Sequence, residues 1–280
     1  LGARVPFKKY DVDYDALVYG SDEVACVPVN STHPLYVLYT SGTTGKPKGI
    51  VRDTGGYATA LKFSMQYIYG VNQDEVFWAA SDVGWVVGHS YIVYGPLVNR
   101  NTTIIFEGKP IKTPDASTFW RVIAEHKVSV MFTAPTAIRA IKKEDPHGEF
   151  IKQYDLSSLR TQFLAGERCD VATLEWYNQN IPVPAIDHWW QTESGWPMIA
   201  NMMGVEFLPI KPGSAGKAVT GYNIQILGEN GQELGPNEEG YVVIKLPLPP
   251  GTMLDLWNDS PRFKSGYLST FPGYYFSGDG

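Results

Sequence analysis

Tyr39-Thr40-Ser41-Gly42-Thr43-Thr44-Gly45-Lys46-Pro47-Lys48-Gly49 follows directly on the apolar, strand-like run 35–38 and packs hydroxyls, glycines and two lysines into one loop. Glycines let backbone N–H groups approach an anion, the hydroxyls of Thr40, Ser41, Thr43 and Thr44 donate hydrogen bonds, and Lys46 and Lys48 supply positive charge. This composition reads as a phosphate cradle. It is not a Walker A loop, which needs glycine five residues before the Gly-Lys pair and Ser or Thr after it; Thr40 and Pro47 stand at those places.

Composition bounds what the chain does. With 280 residues, 44% hydrophobic and 13% aromatic, it can bury a sizeable core as one large domain or two smaller ones. The 23 basic and 29 acidic residues give a formal net charge of -6, which argues against a nucleic-acid-coating surface. Lys46, Lys48 and Arg52 form a local basic cluster that suits nucleotide phosphates instead. Two cysteines, Cys26 and Cys169, lie far apart without CxxC spacing, as ordinary thiols of a reducing compartment do, and this favours neither a disulfide scaffold nor a zinc site. No window reaches 18 uninterrupted apolar residues, so no membrane partner is expected.

Further blocks follow the loop in order: 82–91 (DVGWVVGHSY), 163–168 (FLAGER), 187–193 (DHWWQTE) and 275–279 (YFSGD). Together with YTSGTTGKPKG, this series resembles the motifs of the adenylate-forming enzymes. WWQTE and Gly88-His89-Ser90-Tyr91 are most similar to the short-chain acyl-CoA synthetases, the acetyl-CoA and propionyl-CoA ligases. The phrases CVPV at 26–29, AGERCD at 165–170 and KLPLPPG at 245–251 point to the propionate-activating branch.

The resemblance implies ATP, Mg²⁺ and coenzyme A as reactants or cofactors. It implies that the loop from Thr40 through Ser41, Gly42, Thr43, Thr44, Gly45 and Lys46 to Lys48 holds the β- and γ-phosphates, that Thr192 binds the α-phosphate and that Glu193 carries Mg²⁺. Gly166, Glu167 and Arg168, with Asp187, His188, Trp189, Trp190 and Gln191, then line the adenine side, and Asp279 accepts hydrogen bonds from ribose hydroxyls. Val86, Val87, Ala165 and Trp190 are implied as the acyl pocket, and Val87 and Gly88 as candidates for contact with coenzyme A. Acetate enzymes commonly carry valine before the Gly-Glu pair; Ala165 frees about two methyl groups of space there, which suits propionate, with acetate and butyrate as secondary acids. Two departures stand out: Arg168 where acetate enzymes usually have proline, and Ser194 where threonine is usual. The family also places a mobile C-terminal domain, with a lysine that serves adenylation, beyond the ribose aspartate. On that expectation the chain is the central piece of a longer protein of the cytoplasm or mitochondrial matrix, and alone is incompetent for turnover.

The runs 76–80, 103–106, 128–133, 162–165 and 185–189 are short and rich in β-branched or aromatic residues, which predicts buried parallel strands. Helices are predicted over 117–125, over 134–143 with Pro135 in the first turn, and over 170–180 with Asp170 as N-cap. Alternating strand and helix implies an α/β layer, with the loop 40–49, residues 166–168 and residues 191–193 at the carboxyl ends of strands. After 207–213 the pattern changes to 223–227 and 241–246 around a turn-rich segment, which predicts antiparallel β structure. The expected division is a connecting segment 1–34, an α/β nucleotide-binding subdomain 35–205 and a β-rich, distorted-barrel subdomain 206–280. Two rival readings stand beside the ligase. One is a nucleotide- or acyl-binding fragment without turnover; the other is a different adenylating enzyme, such as a peptide-synthetase adenylation domain, which would need an acid for its substrate's ammonium.

Overall fold

The computed structural model describes residues 8–41 and 45–280, so Gly42, Thr43 and Thr44 of the loop lie outside the described residues. The chain falls into two compact units, one ending at Asn30 and the other spanning Ser31–Gly280. In the first, α1 (Tyr14–Tyr19) starts at Asp13, whose carboxylate accepts from the Ala16 N–H. All the other elements belong to the second.

The Gly-rich loop sequence joins β1 (Pro34–Thr40) to β2 (Lys48–Asp53), which pair antiparallel with Tyr39 opposite Gly49 and Thr40 opposite Lys48. This corrects the expectation that the loop caps a strand of the parallel sheet. Only a handful of residues separate the two strands, enough for a hairpin and far too few for the crossover a parallel pair requires. Asp53 then caps α2 (Thr54–Phe63) by accepting from the Gly56 N–H.

The central sheet holds β3 (Val76–Ala79), β4 (Thr102–Thr103), β5 (Val128–Thr133), β6 (Thr161–Leu164) and β7 (Ala185–Asp187), all parallel, in the order β4-β3-β5-β6-β7. Of the predicted run 103–106 only Thr103 is in a strand, since β4 sits at the sheet edge and pairs for two residues. Short α3 (Gly95–Val98), then α4 (Thr118–His126), α5 (Pro135–Glu144) and α6 (Val171–Asn180) make the crossovers. Pro135 stands in the first turn of α5, and Asp170 caps α6 by accepting from the Thr173 N–H, each where the sequence placed it. α4 stops at Lys127, in the left-handed conformation.

Alternation along β5 and β6 sends Val130, Phe132 and Phe163 into one core and Met131 and Leu164 into another, so the sheet is buried on both faces as parallel sheets require. Tyr69, Tyr91, Phe132, Phe163 and His188 form a continuous aromatic stack in the first core.

Beyond it, β8 (Ile199–Ala200) pairs antiparallel with β9 (Lys217–Ala218), and β10 (Ile224–Leu227), β11 (Tyr241–Lys245) and β13 (Tyr274–Phe276) form an antiparallel sheet. β12 (Asp255–Leu256) leaves this region to pair with β2, and α7 (Ser260–Phe263) follows it. The late chain therefore supplies a strand to the sheet that carries the Gly-rich hairpin. The result is a mixed α/β fold with one parallel and three antiparallel sheets among the described residues.

Candidate active site

Two cavities meet at the carboxyl end of the central sheet. One, of about 440 Å³, is lined by Val86, Val87, Phe132, Ala165, Trp190 and Thr192, with Ser81, Trp85, Thr133, Ala134, Gly166 and Gln191 completing it. The other, of about 520 Å³, is walled by Gly166, Glu167, Arg168 and residues 187–190 and reaches Asp279. Gly166 and Trp190 belong to both. Gly166 has φ +101, which lets β6 turn sharply between the cavities without a side chain entering either. Trp190 is held in place by Tyr91, 5.4 Å away at 77°, and by Phe132 at 6.1 Å. All four residues expected around an acyl group thus face one apolar cavity.

Beside these cavities Glu193 meets the hairpin. Lys48 Nζ lies 3.0 Å from Glu193 Oε1, and Tyr267 OH donates to the same oxygen at 2.8 Å while accepting from Lys48 at 2.5 Å. The Lys48 and Glu193 side chains are 18% and 14% exposed. Burial disfavours the Glu193 carboxylate, yet the Lys48 charge and the Tyr267 and Lys48 hydrogen bonds outweigh it and hold the acid below its usual range. Burial and the same carboxylate push the Tyr267 phenol well up.

The remaining block residues tie the walls together. Asp279 Oδ2 accepts from Trp189 Nε1 at 3.1 Å and from Gln191 Nε2 at 2.8 Å, and Gln191 Oε1 accepts from Tyr275 OH at 3.2 Å. His188 lines the second cavity, yet it is almost wholly buried. Nδ1 donates to the Leu164 carbonyl at 2.7 Å, and Nε2 accepts from Tyr69 OH at 3.0 Å. Burial pulls the imidazole pKa down to about 4, consistent with a neutral ring. Glu167 is held by Arg139 at 2.7 Å and by Thr136 Oγ1, which keeps its carboxyl low. Burial raises Asp187 although it accepts from the Cys169 N–H. Gly88 lines neither cavity; a Cβ there would stand 2.4 Å from the Val83 carbonyl, so packing alone requires glycine. Lys46 lies at the surface with Asp259 at 3.5 Å, and Arg262 donates to the Lys46 and Pro47 carbonyls.

Tyr267, Arg139 and Arg262 escaped the sequence reading. Each acts through a partner more than 25 positions away, and none lies in a motif whose spacing announces it. The GYLSTFPGYYF run around Tyr267 offered only its aromatic density.

The sequence profile of AMP-binding enzymes matches residues 4–256. The chain belongs to this family. It is 55% identical over 95% of its length to acyl-CoA synthetase short-chain family member 3, mitochondrial, of Homo sapiens, covering 39% of that protein. It is 47% identical over 97% of its length to the propionate–CoA ligase of Escherichia coli, covering 40%, and 53% identical over 96% to an uncharacterized protein of Pseudomonas aeruginosa, covering 43%. The chain thus spans about two fifths of the length of these relatives. As a member of the family it has the parallel sheet and the antiparallel sheets of an adenylate-forming enzyme's large domain.

The residues present suit Mg²⁺ shared with a polyphosphate. No group of three or more His, Cys, Asp or Glu among the described residues forms a protein cage for a metal, and Glu193 stands as a single carboxylate near the hairpin. Magnesium is commonly held in this way, by one or two carboxylates with substrate phosphates and water. Thr40 Oγ1, at the entrance to the loop, is buried with no hydrogen-bond partner among the described residues. No helix among them is long and apolar enough to cross a membrane.

Proposed function

We propose that the chain is the nucleotide- and acid-binding part of an AMP-forming acid–CoA ligase that activates a short-chain carboxylate, propionate ahead of acetate and butyrate. The observation that carries this is the pair of cavities fused at Gly166 and Trp190, one apolar and closed by a tryptophan, the other lined by the nucleotide motifs.

A carboxylate is a poor electrophile, and its oxygen must become part of a leaving group before a thiol can displace it. An acid seated among Val86, Val87, Ala165 and Trp190 has its carboxylate directed to the junction, where Thr192 stands beside an α-phosphate in the neighbouring cavity. Carboxylate oxygen attacks that phosphorus, the bond to the β-phosphate oxygen breaks, and pyrophosphate leaves with the electron pair. Residues 40–48 hold the β- and γ-phosphates, with Lys48 offsetting the charge that repels the incoming anion. Glu193 would hold Mg²⁺, which would further neutralise that charge. Asp279 takes the ribose hydroxyls, while residues 166–168 and 187–190 enclose the adenine. The coenzyme A thiol then displaces AMP from the acyl carbon.

An amino-acid-adenylating role is disfavoured because no Asp or Glu lines the apolar cavity to receive an ammonium. The test is incubation of the whole protein with ATP, Mg²⁺ and propionate without coenzyme A. Propionyl-AMP and pyrophosphate in equal amounts are expected, and their absence contradicts the proposal.

A further inference from the structure

Arg52, four residues beyond Lys48 on β2, is completely buried, and no carboxylate among the described residues pairs with it. Its donors go to neutral oxygens. Nη2 donates to the Thr192 carbonyl, Nη1 to the carbonyls of Glu193 at 3.2 Å and Gly251 at 2.8 Å, and Nε to Tyr36 OH at 3.1 Å. Tyr57 lies 5.3 Å from the guanidinium carbon, and its hydroxyl meets Ser90, which donates to the Gly195 carbonyl at 2.6 Å. The turn 192–195 is therefore gripped from both sides. Gly195 has φ +76, and a Cβ there would lie 2.5 Å from Arg52 Cζ, so the turn is shaped around the guanidinium.

A guanidinium is always charged, and a charge taken wholly out of water is costly unless something compensates it. If Arg52 only filled the core, a hydrophobic side chain would serve as well, since replacing buried ions by apolar residues is often neutral or stabilising. Here the positive charge sits against the backbone carbonyls of the two residues proposed to face the phosphates.

We infer that Arg52 is a positioning residue for adenylation: it clamps the Thr192 and Glu193 carbonyls so that their side chains face the α-phosphate and Mg²⁺, and its unpaired charge favours the polyanion. This rests on the proposed ligase site. Glu193 is fixed at its carboxylate by Lys48 and Tyr267 and at its backbone by Arg52. The arginine belongs to the same strand as the phosphate loop, so β2 holds both sides of the metal–phosphate junction.

The test compares wild type, Arg52→Lys and Gly195→Ala in the whole protein. Binding of ATP is measured by calorimetry over a series of Mg²⁺ concentrations, thermal melting is recorded alongside, and ATP–pyrophosphate exchange with propionate is run separately. Lysine keeps the charge but loses the fork, and the alanine methyl displaces the guanidinium without removing it. Each folded variant is expected to need about ten-fold more Mg²⁺ for half-maximal ATP binding, as the loss of a charge-assisted hydrogen bond implies. Variants that melt as a folded protein yet keep the wild-type Mg²⁺ dependence overturn the inference. Failure of both to fold also overturns it, because Arg52 is then a core residue. Wild type that binds Mg²⁺ and ATP but exchanges no pyrophosphate with any short-chain acid refutes the ligase reading, while the Mg²⁺ shift still decides the role of Arg52.

Discussion

Lys48 and Glu193 stand 145 positions apart in the chain and 3.0 Å apart in space, with Tyr267 bonded to both. The pair joins the β1–β2 hairpin to the turn after β7, and so brings the proposed phosphate-binding and metal-binding groups to one point. Each neutralises the other in a largely dry setting. A bound Mg²⁺ and polyphosphate would offer each a new partner of the same sign as the old one.

Removing Lys48 is therefore not a surface change, as its place in a loop sequence suggested. Lys48→Ala leaves Glu193 buried without its counter-charge, and the expected loss of stability is about 2 kcal/mol, below the roughly 3–5 kcal/mol of a fully buried pair because both side chains keep some exposure. Denaturant midpoints measure it, alongside a loss of pyrophosphate exchange. An unchanged midpoint would show that the pair is solvated. Glu193→Gln keeps the shape but leaves Lys48 without its counter-charge, so it is expected to lose stability by a similar amount and to weaken the Mg²⁺ dependence of pyrophosphate exchange.

Tyr267→Phe removes one hydroxyl from that junction. Stability is expected to fall by about 1 kcal/mol, the worth of a typical hydrogen bond, and the Glu193 carboxyl to titrate higher. Carboxyl-labelled NMR of Glu193 reads the shift. A titration midpoint that stays in place or drops counts against the bond.

His188 gives the fold a pH dependence. Its imidazole titrates near 4 when folded against an ordinary value of 6.5, so between those pH values the unfolded chain binds the extra proton. The contribution is full above pH 6.5 and falls away towards pH 4, by up to about 3 kcal/mol at 1.36 kcal/mol per pH unit. Melting temperature against pH for wild type and His188→Gln checks this. The variant is expected to start lower and slope less over that window, and parallel curves contradict it.

The two thiols should differ in reactivity. Cys26 is exposed, whereas burial, with Asp187 and Asp170 nearby, pushes Cys169 up to about 11. The thiolate is the reactive form. Peptide mapping after iodoacetamide is expected to find Cys26 alkylated at neutral pH in the folded protein and Cys169 alkylated only after unfolding; rapid alkylation of Cys169 in the folded state contradicts its burial.

Much of this architecture was legible in the sequence because it is local. The Asp170 cap, Pro135 in the first turn of α5 and the apolar runs of β5 and β6 follow from residue type and spacing alone. The hairpin was misplaced because a strand followed by a Gly-rich loop looks the same whether the next element is a crossover helix or an antiparallel partner. β4 was overextended for a related reason: Ile104 and Phe106 pack against a core without being in a strand. Tyr267 and Arg139 stayed hidden because their roles depend on partners that only the tertiary fold brings near, and Arg52, expected with Lys46 and Lys48 in a cluster facing nucleotide phosphates, is instead fully buried against the carbonyls of Thr192, Glu193 and Gly251.

The cavity bounded by Ala165 and Trp190 is proposed to hold a short acid against the nucleotide. Its most direct test is kcat/KM for ATP–pyrophosphate exchange with acetate, propionate and butyrate in wild type, Ala165→Val and Trp190→Gly of the whole protein. One buried methylene is worth about 0.8 kcal/mol, and pockets discriminate it by roughly 10–200-fold. Propionate is expected to lead in wild type, Ala165→Val to swing towards acetate, and Trp190→Gly to admit longer acids by opening the space in front of Tyr91. An acid preference that stays the same in all three proteins would contradict the account.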